Sequence, residues 1–256
     1  MNTLLKKILD LIMPRRCVGC GKKGDFVCES CFETIDFLDV QQCPGCRKER
    51  FAGEFCYEHE DQCRKKLFDG NCYFDQLIVC ARYDKNGILK KLIEQFKYKY
   101  SIELSAMLAS MFLSQLDNLY TDCDNNPWDE FKDAWVVPVP LHKKRLKSRG
   151  FNQTDLLAFG LVEFYNLAMA PILKRKIFTS PQAHLKREAR LTNLKGAFTL
   201  IDNIRPCEIK ALDGRKIILV DDICTTGSTL NECAKILKGA GCGRITAVVL
   251  ARGDRH

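Results

Sequence analysis

Short apolar runs recur along the chain beyond residue 75, and each is ended by polar or turn-forming residues. The runs are apolar almost without interruption, which is typical of strands buried on both faces of a parallel sheet. They predict strands at residues 76–83, 134–140, 216–220 and 244–252.

Between these runs, apolar residues recur every three or four positions, the spacing of one face of a helix. The spacing predicts helices at residues 87–98, 103–116, 153–168 and 228–240. Strands that alternate with helices build an α/β domain in which helices flank a parallel sheet. The remaining polar stretches predict a linker at 64–75, a surface loop at 117–133 and a charged, turn-rich segment at 174–196.

The first residues carry a different pattern. In LLKKILDLIM, which starts at Leu4, the apolar residues have helical spacing with Lys6, Lys7 and Asp10 between them. No small-residue cleavage site of a secretory signal follows, and no apolar run in the chain approaches the length of a membrane span. We predict a short amphipathic helix that docks on the body of the protein, with contact to a membrane surface as the alternative.

The fifteen cysteines are unevenly placed: eight lie between Cys17 and Cys63, and the rest are scattered from Cys72 to Cys242. Paired spacing occurs only near the start of the chain, so the pattern is not that of a secreted disulfide protein. Scattered cysteines are typical of small apolar side chains in a reducing compartment. We therefore predict a cytoplasmic protein with a metal-binding head.

The head contains three C-x₂-C units, and two such units supply the four thiolates of a tetrahedral zinc site. The first predicted site consists of Cys17, Cys20, Cys28 and Cys31. The second predicted site consists of Cys43, Cys46, Cys56 and His59, with Cys63 as the alternative to His59. A cross-braced arrangement, in which the first and third units share one zinc, remains open. No ligand position is left open, so the zinc is predicted to be structural.

The stretch IILVDDICTTGST, from Ile217 to Thr229, places Asp221 and Asp222 at the end of a predicted strand. Ligands of an open α/β sheet lie beyond the carboxyl ends of its strands. The carboxylates suit sugar hydroxyls or a hard cation such as Mg²⁺. The next residues lead into a helix, whose N-terminal N–H groups and dipole suit a phosphate; they are Thr225, Thr226, Gly227, Ser228 and Thr229. Together these groups predict a site for a phosphorylated sugar.

Positive charge is concentrated between Pro140 and Lys195, where twelve lysines and arginines stand against three acidic residues. The whole chain has a formal net charge of +8, so the remainder is close to neutral. A concentrated positive region favours an anionic substrate or partner, and pyrophosphate and single-stranded nucleic acid are the two candidates. Phe151, Phe178 and Phe198 lie nearby and could stack on bases, although core packing is the favoured prediction for these rings.

IILVDDICTTGST resembles the phosphoribosyl pyrophosphate (PRPP) motif of type I phosphoribosyltransferases. VPVPLHKKRLKSRGFNQ (137–153), TSPQAHLKREARLTNLKGAF (179–198) and the cysteine-rich head extend the resemblance to the ComF family, over nearly the whole chain. CYEH (56–59) departs from a fourth C-x₂-C unit. The resemblance implies a phosphoribosyltransferase-like α/β domain at residues 67–256, preceded by a small zinc-ribbon-like domain at residues 1–66.

The resemblance also implies roles for individual residues. In the family, the two acids of the motif hold the ribose hydroxyls, and the loop after them holds the 5′-phosphate. A loop that contacts pyrophosphate corresponds here to Leu141, Lys144, Arg145 and Arg149. A flexible loop that closes over PRPP corresponds to Thr179, Gln182, Arg187 and Arg190.

The chemistry that the resemblance implies is displacement at the anomeric carbon of PRPP. Pyrophosphate leaves, accompanied by Mg²⁺, and an acceptor nucleophile takes its place. The resemblance therefore implies a PRPP-dependent phosphoribosyltransferase with an unidentified acceptor, linked to DNA uptake in natural competence, with single-stranded DNA and a DNA-uptake helicase as further partners. The alternative is a protein that binds nucleotide or single-stranded DNA through the same fold without turnover.

Overall fold

The computed structural model describes residues 15–68, 71–98, 102–118, 131–178 and 194–253. The helices are α1 (Glu29–Phe32), α2 (Glu60–Leu67), α3 (Ile88–Tyr98), α4 (Ile102–Asn118), α5 (Lys143–Arg149), α6 (Gln153–Tyr165), α7 (Pro206–Lys210) and α8 (Ser228–Gly239). The strands are β1 (Gln76–Tyr83), β2 (Trp135–Pro138), β3 (Ala168–Met169), β4 (Leu173–Arg175), β5 (Phe198–Leu200), β6 (Ile217–Cys224) and β7 (Ile245–Gly253). Short 3₁₀ helices span Phe51–Gly53 and Tyr57–His59.

The main sheet is parallel and has the strand order β1-β7-β6-β2-β3, while β4 and β5 form a separate antiparallel pair. β6 lies at its centre. It pairs with β2 only as far as Val220, which lies opposite Pro138, but it pairs with β7 as far as Cys224, which lies opposite Arg252. The carboxyl end of β6 therefore has a neighbour on one side only.

Two hydrophobic cores cover the two faces of the sheet, because side chains alternate between faces along each strand. Ile217 and Leu219 of β6 belong to one core, shared with α8 and with the N-terminal head; we call it the α8 core. Ile218 and Val220 belong to the other, shared with α3, α4 and α6; we call it the α3 core. Burial on both faces explains why the strands read as continuous apolar runs.

The N-terminal head packs along the edge of β1. Phe37 forms an antiparallel bridge with Ala81. The Gln41 side chain continues this contact, since it donates to the Val79 carbonyl at 2.9 Å and accepts from the Val79 N–H at 2.8 Å. The head thus covers backbone groups that an edge strand would otherwise expose.

The predicted parallel α/β fold is confirmed. The predicted strands and helices from residue 76 onwards are all present, β1 with the predicted bounds and the others with shifted ends. β6 runs past the two aspartates to Cys224, because its pairing with β7 continues there. The predicted linker at 64–75 is partly wrong: its first residues complete α2, which buries Cys63 and Leu67 against the core. The turn-rich prediction for 174–196 also missed the end of β4, a strand too short to have a readable period.

Several predicted segments lie outside the described residues. They are the N-terminal amphipathic helix and most of the segments at 117–133 and 174–196. Among the helices that the structure describes, none combines the length and the apolar character that crossing a membrane requires.

Candidate functional site

Asp221 and Asp222 lie where β6 loses one neighbouring strand and keeps the other. β2 stops at Pro138, opposite the residue before Asp221. On the other side, Asp221 remains paired with Val249 of β7. The two carboxyl groups are therefore carried by a paired strand at the crevice that opens beyond the end of β2. This is the position at which open α/β sheets bind ligands.

β6 leads through a tight turn into the N-terminus of α8. Gly227, directly before the helix, has a φ of 80°, a conformation that favours glycine. A Cβ atom at this position would also lie 3.2 Å from the Phe68 ring. The Thr226 and Ser228 hydroxyls lie 2.7 Å apart beside the first turn of the helix. Gly227 has no side chain with which to cap the helix, and the Ser228 N–H donates to Thr226 Oγ1 at 3.4 Å. The positive end of the helix dipole favours an anion such as a phosphate at this turn.

Asp221 is buried on the face of the α8 core, with 9% of the residue exposed. Burial raises the pKa of its carboxyl to about 8, and the charge of Asp222 adds to the increase. Its Oδ1 accepts a hydrogen bond from the Asp222 N–H at 2.8 Å. Its charge also acts on Arg175 of β4 and on the Cys233 thiol of α8. At neutral pH the Asp221 carboxyl is therefore mostly protonated, and it can both donate and accept a hydrogen bond.

Asp222, the next residue along the strand, has different neighbours. Its Oδ2 lies 2.6 Å from Nζ of Lys97, near the end of α3. Burial raises the pKa of the Tyr83 hydroxyl at the end of β1, and the charges of Glu94 and Asp222 raise it further. The two adjacent aspartates are thus chemically distinct, one mostly protonated and the other paired with a cation.

The predicted pyrophosphate loop follows β2 and leads into α5. His142 caps this helix, because its Nδ1 accepts from the Lys144 N–H at 3.1 Å. Lys144 Nζ and the Arg145 guanidinium lie 5.2 and 5.9 Å from the centre of the Phe178 ring, which is 46% exposed. Leu141 lines an adjoining cavity of about 430 Å³. Three of the four predicted loop residues therefore lie together.

Arg149, the fourth, lies at the other end of α5. Its guanidinium donates to Gln153 Oε1 at 3.0 Å, which directs it towards α6. Arg175 of β4 connects the loop to β6 instead. Burial lowers its pKa, and the nearby charges of Arg145 and Asp221 act on it in opposite directions. The predicted flexible-loop residues Thr179, Gln182, Arg187 and Arg190 lie outside the described residues.

The head brings its cysteines together in two groups, within each of which the sulfur atoms lie within 4.8 Å of one another. Cluster 1 consists of Cys17, Cys20, Cys28 and Cys31. Cluster 2 consists of Cys43, Cys46, Cys56 and Cys63. Four thiols at this spacing match the donor set of a structural zinc site. The sequential arrangement is therefore present, and the cross-braced alternative is wrong.

The prediction of His59 as a ligand is wrong. His59 is exposed and precedes the first residue of α2, whereas Cys63 lies one helical turn later and is buried. His59 precedes α2 with a non-helical backbone (φ −138°), so it does not share the helical register of Cys63, which lies with the third C-x₂-C unit and Cys56. The sequence offered both candidates, and the helix start at Glu60 decides between them.

Cluster 2 also contacts the strand beside the site. The Arg252 guanidinium of β7 donates to the Pro44 carbonyl at 2.7 Å. In the opposite direction, the Arg47 guanidinium donates to the Gly253 carbonyl at 2.9 Å. A Cβ atom on Gly253 would lie 3.7 Å from Thr225 Cγ2 in the turn before α8. The third C-x₂-C unit thus packs on the carboxyl end of β7, next to the predicted phosphate turn.

Sequence reasoning missed three residues of the site: Lys97, Tyr83 and Arg175. Lys97 and Tyr83 lie on elements that were predicted correctly, but nothing in a helical or strand period shows which distant carboxylate a side chain meets. Arg175 is buried against the Phe198 ring, with its guanidinium 5.3 Å from the ring centre, although by sequence it was counted in the positive region available to an anionic partner.

Two known domain families match the chain. The phosphoribosyl transferase domain matches residues 170–256, which contain the aspartate pair and the turn before α8. The double zinc ribbon domain matches residues 8–69, which contain both cysteine clusters. The fold and the site therefore define a phosphoribosyltransferase-like domain joined to a double zinc ribbon.

Three relatives are similar to this chain over most of their length. Competence protein F of Haemophilus influenzae is 29% identical over 239 residues, which cover 89% of this chain and 97% of the relative. Competence protein ComFC of Bacillus subtilis is 28% identical over 220 residues, which cover 86% and 81%. DNA utilization protein YhgH of Escherichia coli is 31% identical over 180 residues, which cover 70% and 73%. The chain belongs to the ComF family.

Proposed function

We propose that this protein binds PRPP at the carboxyl end of β6 and transfers its phosphoribosyl group to an acceptor, in a role linked to DNA uptake. The observation that carries the proposal is the continuous sequence of groups from β6 to α8. Two carboxyl groups suited to a diol come first, and a glycine turn with hydroxyls and an uncapped helix N-terminus follows. The names of the relatives, competence and DNA utilization proteins, support the cellular role.

In this proposal the residues act by positioning and electrostatics. Asp222 accepts hydrogen bonds from a ribose hydroxyl, and protonated Asp221 donates to or accepts from the neighbouring one. The N-terminus of α8 binds the 5′-phosphate. Lys144 and Arg145, at the start of α5, are the cations available to a departing pyrophosphate.

Mg²⁺ would supply further charge neutralisation at the pyrophosphate. The aspartate pair does not fit a resident Mg²⁺ site, however, because Asp221 is mostly protonated and Asp222 already contacts the Lys97 ammonium. Hard cations favour ionised carboxylates with free oxygen atoms. The proposed reaction therefore uses no metal ion bound by these two residues.

Calorimetric titration with PRPP in the presence of Mg²⁺ tests the proposal. Replacing both aspartates with asparagine should weaken PRPP binding by about one to two orders of magnitude, since the charge-assisted hydrogen bond of Asp222 contributes roughly 1.5–3 kcal/mol and about 1.4 kcal/mol corresponds to a factor of ten. Asp39→Asn, at an exposed position of the head, is the matched control. A wild-type protein without PRPP affinity would refute the site, and a screen for pyrophosphate release over candidate acceptors would identify the reaction.

Single-strand binding is the second candidate function, and the exposed Phe178 ring favours it. The predicted core position of this ring is wrong, because Phe178 is 46% exposed. The His142 ring packs against it at a tilt, with the ring centres 5.2 Å apart, and the cations of Lys144 and Arg145 lie nearby. An exposed aromatic among cations is the arrangement that stacks on bases and neutralises phosphates. By contrast, Phe151 packs against Phe96, and Phe198 packs against the Arg175 guanidinium.

This second function predicts a specific pattern of variants. Phe178→Ala should weaken binding of an oligothymidine by about tenfold, because stacking on one base contributes roughly 1–3 kcal/mol. Phe159→Ala, which removes another exposed ring from α6, should not. Reversing the charges of Lys144 and Arg145 should flatten the dependence of affinity on salt. Equal effects of the two alanine variants would exclude Phe178 as a stacking platform.

A further inference from the structure

The contact between Lys97 and Asp222 differs from an ordinary surface ion pair. Nζ and Oδ2 lie 2.6 Å apart, and the two side chains are only 21% and 15% exposed. Lys90 and Glu94 form the ordinary case on the same helix: they are 3.7 Å apart and 33% and 55% exposed. Exposed pairs of that kind contribute little, whereas removing one member of a largely buried pair leaves an uncompensated charge.

The position of Lys97 is fixed by the packing of α3. Leu92, Ile93 and Phe96 of this helix are almost fully buried in the α3 core. The Phe96 ring also packs against Phe151, with the ring centres 5.8 Å apart. The residue after Phe96 is therefore delivered to the end of β6 by a helix that has little freedom to move.

Cationic and protonated side chains surround the aspartate pair, so the pair is not a vacant anionic site for a divalent cation. Asp221 lies close enough to Arg175 of β4 and the Cys233 thiol of α8 for its charge to raise their pKa values, and the charge of Asp222 raises the pKa of Tyr83 of β1. Lys97 of α3 contacts Asp222, and its charge lowers the pKa of Asp221. A pair of ionised carboxylates with free oxygen atoms would attract a divalent cation. Here the position at Asp222 Oδ2 that such a cation would take holds an ammonium group.

We propose that Lys97 is a positioning residue that serves as the built-in cation of Asp222, so that the ribose end of the ligand binds without a divalent metal ion. Any requirement for Mg²⁺ then belongs to the pyrophosphate end alone. The proposal rests on the proposed function, because it concerns the same diol site. It assigns a role to α3, an element outside the PRPP motif.

Ribose 5-phosphate is the probe that separates the two ends, because it carries the diol and the 5′-phosphate but no pyrophosphate. Its affinity for the wild-type protein should change less than twofold between Mg²⁺-free buffer and 5 mM MgCl₂, on the order of 0.4 kcal/mol or less. Both buffers omit chelators, which would remove the structural zinc. Lys97→Gln should weaken binding of ribose 5-phosphate at least tenfold without Mg²⁺, and Mg²⁺ should restore part of the loss. Lys97→Arg should keep both the affinity and the independence from Mg²⁺, while Lys90→Gln is the matched control on the same helix.

The outcomes separate this inference from the proposed function. Mg²⁺-dependent binding of ribose 5-phosphate by the wild type, or unchanged binding by Lys97→Gln, would overturn the role of Lys97 while leaving the ribose site intact. If the wild type binds neither ribose 5-phosphate nor PRPP, the proposed function fails, and the ion pair is tested without ligand.

Carboxyl ¹³C NMR of Asp221 tests the ion pair directly. The pKa of Asp221 should be higher in Lys97→Gln than the wild-type value of about 8, because the Lys97 charge lowers it. An unshifted Asp221 pKa would overturn the pair itself. If Lys97→Gln does not fold, the same comparison is made with Lys97→Met, which keeps the apolar stem of the side chain.

Discussion

The two cysteine clusters have the same ligands but different places in the molecule. In cluster 1, Cys20 is exposed, and Cys28 and Cys31 are partly exposed. In cluster 2, three of the four cysteines are buried and belong to the α8 core. Cluster 2 also exchanges hydrogen bonds with the end of β7, beside the predicted phosphate turn. Two clusters with the same donor set therefore need not contribute equally to stability, because cluster 1 lies at the periphery and cluster 2 is part of the core beside the candidate site.

The clusters also belong to opposite faces of the sheet. Cys31 of cluster 1 packs against the α3 core, which lies on the face shared with Lys97 and Asp222. Cluster 2 lies in the α8 core, the face of Asp221 and Cys233. Loss of a ligand in cluster 1 should therefore affect Asp222 more than Asp221, and loss of a ligand in cluster 2 should affect Asp221 more.

The largest expected difference follows from removing one ligand of each cluster. Cys63→Ser should lower the free energy of unfolding by more than about 3 kcal/mol, because it removes a buried ligand and releases a zinc ion whose binding contributes to folding. Cys20→Ser should lose one zinc of two but cost less than half as much, since this thiol is exposed. Native mass spectrometry counts the zinc, and thermal denaturation measures the stability. Equal losses of stability would break the comparison.

A smaller difference is expected from the glycine inside each C-x₂-C unit. A Cβ atom on Gly45 would overlap the backbone of Cys63, which cannot move without displacing α2. A Cβ atom on Gly19 would meet side-chain atoms, Ile88 Cδ1 and Cys31 Sγ, of which the isoleucine end can rotate away. Gly45→Ala should therefore cost about 3 kcal/mol and Gly19→Ala about 1 kcal/mol. Urea denaturation of zinc-loaded protein measures both, and the reverse order would contradict the packing argument.

Near each cluster, an arginine donates to a backbone carbonyl in or next to a C-x₂-C unit, which allows a matched test. Arg252 is 3% exposed and bonds the Pro44 carbonyl, whereas the Arg16 bond to the Gly21 carbonyl is exposed and 3.3 Å long. Arg252→Met should cost about 2 kcal/mol and Arg16→Met less than about 0.5 kcal/mol, because hydrogen bonds from charged groups count most when buried. PRPP affinity should fall only in the first variant. A loss of affinity in Arg16→Met would show that cluster 1 also supports the site.

The last expected effect is gradual and concerns pH on the cluster 2 face. The folded pKa of Asp221 is about 8 against a usual value of 3.8, so the folded state keeps a proton that the unfolded state loses. Stability should therefore fall as pH rises from about 4 to about 8 and level off above that, by no more than about 1.4 kcal/mol per pH unit. Asp221→Asn should flatten this slope, and Asp39→Asn should not. Urea midpoints at pH 5, 6, 7 and 8 provide the measurement, and an unchanged slope in Asp221→Asn would place the proton elsewhere.

The same contrast explains what could be predicted from the sequence. Strands buried on both faces gave unmistakable apolar runs, and the aspartate pair with its glycine turn is local in the chain, so both were found. The choice between His59 and Cys63 depended on where α2 starts, which sequence patterns place only to within a few residues. The contact of Lys97 with Asp222 could not be predicted for a different reason. Its partner lies on a distant strand, and only the packing of α3 on the sheet brings the two together.

The cover that the head provides for β1 has a consequence for dissecting the molecule. The predicted boundary after residue 66 falls one residue before the end of α2, and cutting there would separate β1 from Phe37 and Gln41. The excised sheet would present a long apolar edge, which is a template for pairing with other chains and hence for aggregation. By covering this edge, the zinc ribbon should keep the following domain soluble. Exchange of the head between homologues should therefore succeed only where the contacts of Phe37 and Gln41 with β1 are kept.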